Sequence, residues 1–489
     1  MPSTPVRLPP TAAIRPLTRS PRPRKPCRRA PWFVDREGGP GTGRWRPWEG
    51  AGLVRGKQAR QAWAPLAVPR FRVHFGARLL SWSGGAIAPV GLAFAVLGLP
   101  GEGGGGGLGL VLACGTLPQA LLLFFGGVAA DRWPRVRIMV AANTVSAAAQ
   151  AGAALLLWSH LARLWQLALL AAVCGAASAF FMPASSGLLA DIVPARTRPA
   201  ANALLRLGQT VTRVGGPAVG AALVVAAGPP SVIACDALSF AGAAVLLAPL
   251  AVRGAAPAPR PAFRYQLRDG WADFRSRRWL VVMTWQSALV LPVWMAGYQL
   301  LGPVYGQRAL GGAGAWGLVM SGFAAGMVGG SAVALWWRPR GVGVVACAGT
   351  AVIAVPPAAM ALHTGTAGLV LAAAAAGAAA SLSTTVWTGL LQDVIPPDRL
   401  GRVTAYSAFG QAVTVPLGYL AASPATRVLG LRETLGLGAV LITVLAVLPL
   451  LLPEVRLLGR PVTASGRGGA ELRPPRRPRA ATAVRESGA

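Results

Sequence analysis

The chain has 489 residues, 54% of them hydrophobic and only 13% charged, with a formal net charge of +32. A soluble domain carries about 25% charged residues, so most of this surface does not face water, which excludes a water-soluble enzyme or binding module. The charge does not point to nucleic acid either. The basic residues, 45 of 47 of them Arg, crowd into short stretches between long uncharged runs, and the preference for Arg fits a GC-rich genome.

Residues 1–70 are rich in Pro, Arg and Gly, as in PRPRKPCRRAP, and lack periodicity, which predicts a disordered basic tail. No apolar run near Met1 marks a secretory signal. Two readings of the tail stand: a segment lying on anionic lipid, or translated upstream DNA ahead of a true start near Val68.

Apolar runs long enough to cross about 30 Å of hydrocarbon then recur near 75–98, 108–129, 138–159, 165–189, 205–227 and 232–251. A second set follows at 280–301, 313–336, 341–362, 367–391, 405–422 and 433–453. The expected architecture is an all-α integral membrane protein of twelve transmembrane helices. Two six-helix halves, 71–251 and 280–453, flank a linker at 252–279, and a disordered basic tail occupies 454–489.

The halves echo each other at an offset of 202: Asp191 meets Asp393, Pro194 meets Pro396, Gly208 meets Gly410 and Gln209 meets Gln411. A parallel repeat of this size is how one class of transporters is built, with the substrate path between the halves. Basic residues give the orientation, because they collect on the cytoplasmic side. One face holds 42 and the other only Arg163, Arg308, Arg427 and Arg432. Both termini are therefore expected in the cytoplasm.

Much chemistry is excluded. The five cysteines are scattered and form no CxxC, and His74, His160 and His363 are far apart, so no metal site is expected. The glycine cluster 103–107 lacks the Lys-Ser or Lys-Thr of a phosphate-binding loop. No cofactor is implied.

Two stretches stand out. GGVAADRWPRVR (126–137) sets Asp131 beside Arg132, Arg135 and Arg137 at the end of the second run. It is either a topological anchor or a latch that breaks and reforms between two states. RVGGPAVG (213–220) combines Pro217 with Gly216 and Gly220 four residues apart, which predicts a kinked helix with a flat packing strip. Arg213 lies well inside that run, facing a cavity or a partner, or snorkelling to the interface.

With AFFMPASSGLLADIVPARTRPAANALLRLGQTVTRVGGPAVG, CDALSF and LLQDVIPPDRLGRV, these stretches resemble the Major Facilitator Superfamily over about residues 71–453. Within it they are similar to bacterial exporters of the enterobactin and macrolide efflux type, the transmembrane secretion effectors. The resemblance implies a gating latch of Asp131, Arg132 and Arg135, and an exporter helix built on Gly216, Pro217 and Gly220. It also implies a substrate path lined by the first, fourth, seventh and tenth helices. Candidates there are Arg78, Trp82, Ser83, Phe180, Phe181, Trp285, Gln286, Trp294, Gln299, Thr384, Thr385, Trp387 and Thr388. Rings interleaved with Gln and Thr suit large, partly apolar molecules.

The chain departs from the family pattern in three places. Pro134 stands where Gly is usual, the counterpart loop ALWWRPRG (334–341) has no acid, and Gly85 occupies a position where relatives often carry one. Asp236 is then the one carboxylate well inside an apolar run, either a candidate proton site or a helix-start residue favoured by the dipole. The expectation is a secondary transporter of the bacterial inner membrane, whose partners are a small-molecule substrate, protons and the lipid bilayer. It would be monomeric and would export a drug-like or siderophore-like molecule in exchange for protons. Uptake of a small metabolite, or a non-transporting sensor or assembly role, are the alternatives.

Overall fold

The structure is a computed structural model that describes residues 63–101, 104–251, 275–337, 339–395 and 397–459. Most of the expected N-terminal tail, linker and C-terminal tail therefore lies outside the described residues. Among the described residues ten helical stretches are long and apolar enough to cross a bilayer. One of these, residues 198–250, is two spans, because Gly228 adopts φ 78° and ψ 163° and is followed by Pro229 and Pro230. A left-handed glycine before two prolines reverses the chain without a loop. The helix Pro397–Leu429 completes twelve.

In chain order the first half is α1 (Pro69–Leu97), α2 (Gly105–Arg132), α3 (Arg135–Trp158), α4 (Leu164–Ile192), α5 (198–227) and α6 (229–251). The second half is α7 (Arg278–Ala309), α8 (Ala313–Trp336), α9 (Val342–Ala361), α10 (Gly365–Val394), α11 (Pro397–Leu429) and α12 (Leu431–Val447). Two helices are interrupted. In α7 a π-helical turn spans Met295–Leu300, just past Pro292. In α9 the regular helix pauses after Val352 and resumes at Val355, where Pro356 and Pro357 remove N–H donors.

Small residues set the packing, as expected where lipid replaces the hydrophobic drive between helices. Gly322, Gly326 and Gly330 of α8 face the carbonyls of Val370, Ala374 and Ala378 on α10, so the two backbones run in direct contact. A Cβ at Gly322 would stand 2.7 Å from the Val370 oxygen.

Order extends past both expected limits. A 3₁₀ turn at Ala64–Ala67 leads into α1 from Pro69, and Phe71 is fully buried against Leu189, Val193, Ala201 and Leu204. Past α12, the short helix Pro453–Leu457 buries Val455 against Met283, Ala346 and Cys347. The Leu458 carbonyl also accepts a hydrogen bond from the Val342 N–H. Both segments are ordered because one large apolar residue finds a pocket between helix ends.

We call the end that carries both termini the basic end and the other the far end. The largest apolar cluster lies at the far end and unites the halves, joining Val96, Leu108 and Val111 to Leu300, Leu301, Tyr305 and Trp316. There Ser423 on α11 donates to the Gly105 carbonyl at the start of α2. Ala221 and Val225 of α5 meet Gly317 and Gly314 of α8. Towards the basic end each described cluster stays within one half. Among the described residues the halves therefore join at the far end, and no described apolar cluster bridges them towards the basic end, which is the side on which the cleft between them opens.

Candidate functional site

Helix α1 has neighbours on most of its circumference. Helix α5 seats on it through Gly208 at Leu79, Gly216 at Ala86 and Gly220 at Ile87. Helix α6 runs antiparallel along another face, with Gly242 at Leu80, Ser239 at Gly84 and Val232 at Gly91. The stripe left to the cleft is Arg78, Trp82, Gly85 and Pro89, spaced i, i+4, i+7 and i+11 along one helix face. Gly85 and Pro89 are exposed, and a Cβ added at Gly85 would meet open space.

On that stripe the Arg78 guanidinium lies 4.2 Å from the centroid of Trp82 and 5.0 Å from that of Phe181 on α4. An Arg inside a spanning helix is costly even a third of the way along, and a desolvated cation–π contact returns up to about 2 kcal/mol. The rings therefore offset much of the cost of placing the cation here. They do not satisfy its five N–H donors, and no acceptor among the described residues does so. One turn nearer the basic end, His74 is fully buried with neither ring nitrogen hydrogen-bonded.

Asp236 lies on the opposite side of α1 and is 1% exposed. Gln150 Nε2 of α3 donates to its Oδ2 at 2.5 Å, and Ser239 Oγ donates to Oδ1 at 3.4 Å. The dipole reading of Asp236 does not survive. The helix starts at Gly228, so the orphan N–H groups of its first turn are spent before residue 236 is reached. The acid is a mid-helix residue enclosed by α1, α3 and α6.

At the basic end Arg135 forms an ion pair with Asp191. Arg135 is buried, and its Nη1 donates to Asp191 Oδ2 at 2.5 Å and to the Gly187 carbonyl at 3.0 Å. Its Nε also faces the Ala130 carbonyl at 3.4 Å. The loop between α2 and α3 is thus strapped to the end of α4. Asp131 and Arg132, the other two latch candidates, are exposed. The sequence separation of 56 hid this pairing, although Asp191 already stood out in the internal repeat.

A family model described as Major Facilitator Superfamily matches residues 75–356, more than half of the chain. The chain belongs to the Major Facilitator Superfamily. No curated protein matches it in sequence. Among solved structures it is similar to the nucleoside transporter NupG, at TM-score 0.62 and 12% identity, over 78% of this chain and 98% of that one. It is likewise similar to a POT family transporter in complex with a thioalcohol-conjugated peptide, at TM-score 0.61 and 11% identity, covering 79% and 96%. A POT family transporter bound to 5-aminolevulinic acid gives the same TM-score of 0.61. At such identities the likeness speaks for the fold.

On this Major Facilitator scaffold the candidate path residues separate. Arg78, Trp82 and Phe181 come together, while Phe180 lies where α4 crosses Gly126 of α2. Thr384 and Thr388 lie on an α10 face between its contacts with α7 and α8, and Thr384 is exposed. Others turn elsewhere. Gln286 is buried and donates to the Ala446 carbonyl of α12 at 3.1 Å. Trp387 packs edge-on to Trp279 at 5.8 Å. Trp294 stacks on Tyr298 at 4.6 Å and on Phe323 of α8 at 5.8 Å. Trp285 is 62% exposed, on a sector between the residues that touch α11 and α12. Gln299 is partly exposed within the π-helical turn. Thr284 and Ser287 of α7 lie on the face turned away from its contacts with α11 and α12, while Leu291 packs against the far-end apolar cluster; apolar periodicity alone gave no signal for the two polar residues. In the exporter stretch Gly216 and Gly220 are buried on α1, and Pro217 and Arg213 stand on the face beside that seam.

Proposed function

We propose that this transporter exports a large, partly apolar small molecule across the bacterial inner membrane in exchange for protons, with both termini in the cytoplasm. The observation that carries the reading is the position of α1. It is gripped on one side by Gly216 and Gly220 of the exporter stretch and on another by Asp236 and Ser239 of α6, while its third side carries the cleft stripe.

A carboxylate enclosed at that seam changes the packing of α6 on α1 when it gains or loses a proton, because a buried anion needs its Gln150 and Ser239 donors and a neutral acid does not. The change reaches the cleft through α1 itself, as a rigid rod. The halves then rock so that their far-end contacts part as the basic end closes, with Arg135–Asp191 holding the basic end of the first half together. The described partners of this acid, Gln150 and Ser239, are neutral, and a membrane-embedded carboxylate of that kind supports coupling to protons over a sensor role. Asymmetry in the basic residues, 42 against 4, supports the orientation.

The test is transport in everted membrane vesicles energised by an imposed pH gradient. Expected is accumulation of a dye from a chemically mixed panel that collapses on adding a protonophore and is absent with Asp236→Asn. Accumulation that ignores the protonophore sinks proton coupling, and accumulation only in right-side-out vesicles makes the chain an importer.

A further inference from the structure

We infer that the cleft of the first half is an anion-binding site, and that the transported molecule carries a carboxylate, sulfonate or phosphate group beside an aromatic or apolar body. This rests on the export reading only for the word "transported"; the site itself stands on geometry.

The α5–α1 register supplies the argument. Gly208 opposite Leu79 and Gly216 opposite Ala86 fix how far α5 is shifted along α1. On that register Arg206 stands level with Arg78, and Arg213 stands level with Trp82 and Gly85. Both α5 arginines are exposed. With Thr210 and Pro217 they form an i, i+4, i+7, i+11 stripe between the α5 face on α1 and the face on α8. The opposite side of α5 is apolar, with Leu207 55% and Val211 62% exposed, as lipid requires. The two polar stripes therefore look into the same cleft.

These two stripes hold three guanidiniums and no acid. Asp236 faces away from them across α1, Asp191 is taken by Arg135, and Asp131 lies at the basic end of α2. In α7 to α10 the one acidic residue is Asp393, at the end of α10. Buried or membrane-embedded cations are stable when paired, and Arg78 has two aromatic faces but no acceptor. A guanidinium clamped between rings keeps its N–H edge free, which is the geometry for bidentate recognition of an oxyanion. Trp82, which is partly exposed, also offers a surface to an aromatic body, while Phe181 is closed into the first-half core. Gly85 leaves open space beside them, where an acidic side chain would have repelled the ligand.

An anion of this kind has two sources, a free solute or a lipid headgroup, and we assign the solute. The full-length protein in neutral maltoside detergent is titrated with fluorescein, a dianion, and with the methyl ester of tetramethylrhodamine, a cation on the same ring system, each read by dye anisotropy without any gradient. Fluorescein is expected to bind saturably and more weakly as salt rises, while the cation does not bind. Arg78→Gln should weaken fluorescein at least tenfold, Arg78→Lys less, and Arg213→Gln several-fold, all in protein that stays monodisperse. Dihexanoyl phosphatidylglycerol should displace the dye no better than the matching phosphatidylcholine. Equal binding of both dyes, no fluorescein binding, an unchanged Arg78→Gln together with an unchanged Arg213→Gln, or selective displacement by phosphatidylglycerol overturns the assignment. If Arg78→Gln does not fold, Arg78→Lys and Arg213→Gln decide. Anion binding without gradient-driven movement would remove the export reading and keep this one; proton-driven export of cations alone would do the reverse.

Discussion

Gly208 and Gly216 seat α5 on α1, and 202 residues later Gly410 and Gly418 seat α11 on α7, at Ala288 and Pro292. The halves thus share their skeleton. They do not share their charge. The first half has Arg135 strapped to Asp191, a buried Asp236 and three arginines on cleft stripes; in the second, α7 to α10 carry no ionisable Asp, Glu, Lys or Arg between Arg308 and the α8–α9 loop, nor again until Asp393. In their place it has a stacked aromatic group, Trp294, Tyr298, Phe323 and Trp316, and two interrupted helices. The small-residue contacts that let backbones approach recur in both halves, while the buried acid and the stripe arginines, on which the proposed coupling and recognition rest, lie in the first.

The largest effect expected from breaking this division is at Asp236. Asp236→Asn keeps the shape and removes the ionisable proton, replacing one of the two acceptor oxygens with a donor. Proton-driven exchange should fall by about two orders of magnitude, as for loss of a single essential proton-transfer group. Substrate counterflow, which needs no net proton movement, should persist. Side-by-side flux and counterflow measurements check it; equal loss of both would mean that Asp236 holds the fold and does not couple.

Next in size is the strap. Arg135→Gln leaves Asp191 without its partner and removes a bond to the Gly187 carbonyl. Because the Asp191 side chain is half exposed, the loss is expected near the ~2 kcal/mol of one charge-assisted hydrogen bond, below the range for a fully buried pair. Asp191→Asn should behave alike and Asp393→Asn should be close to neutral. Thermal unfolding in detergent reads all three, and an Asp393→Asn as damaging as Asp191→Asn would restore symmetry to the two halves.

The shared skeleton makes the opposite prediction. Gly216→Ala and Gly418→Ala should destabilise alike, by about 1–3 kcal/mol, since a Cβ runs into Ala86 in one case and lies 2.5 Å from the Pro292 carbonyl oxygen in the other. Melting curves of the pair test this. If only Gly216→Ala is harmful, the second seam is looser than its backbone contact implies.

How much of this was legible in the sequence follows from which physics leaves a trace in one dimension. A span needs a run of apolar residues, so α1 to α12 lie close to the expected runs, and the small residues of GGPAVG announced a close seam. Which way a residue faces depends on helix rotation, and that is fixed by partners far away in sequence. Gln286 and Trp387 were assigned to the path by helix and residue type, yet rotation sends one to α12 and the other to Trp279. The same limit hid Asp191 as the partner of Arg135, and the α7 face on which Thr284 lies. The π turn of α7 was hidden for another reason: its cause, Pro292 with the packing of Trp294 and Tyr298, is tertiary.

The smallest expected effect on the fold comes from restoring an acid where relatives often have one. Gly85 is on the cleft stripe with nothing near its missing Cβ, so Gly85→Asp should change the melting point little, within the range of about ±0.5 kcal/mol for surface substitutions. Its effect on the cleft should be larger than its effect on stability. A carboxylate there stands level with Arg213 and about 10 Å along the helix from Arg78, close enough to lower the positive potential of the stripe and to repel an incoming anion. Fluorescein affinity should fall several-fold, and binding of the rhodamine ester should appear. The polar stripe of α7 supplies the control at Ser287, on a helix face without guanidiniums, where Ser287→Asp should weaken fluorescein less than Gly85→Asp does. Equal losses from the two acids would show that the cleft responds to net charge alone, and a larger loss from Gly85→Asp locates the anion on the arginines of the first half.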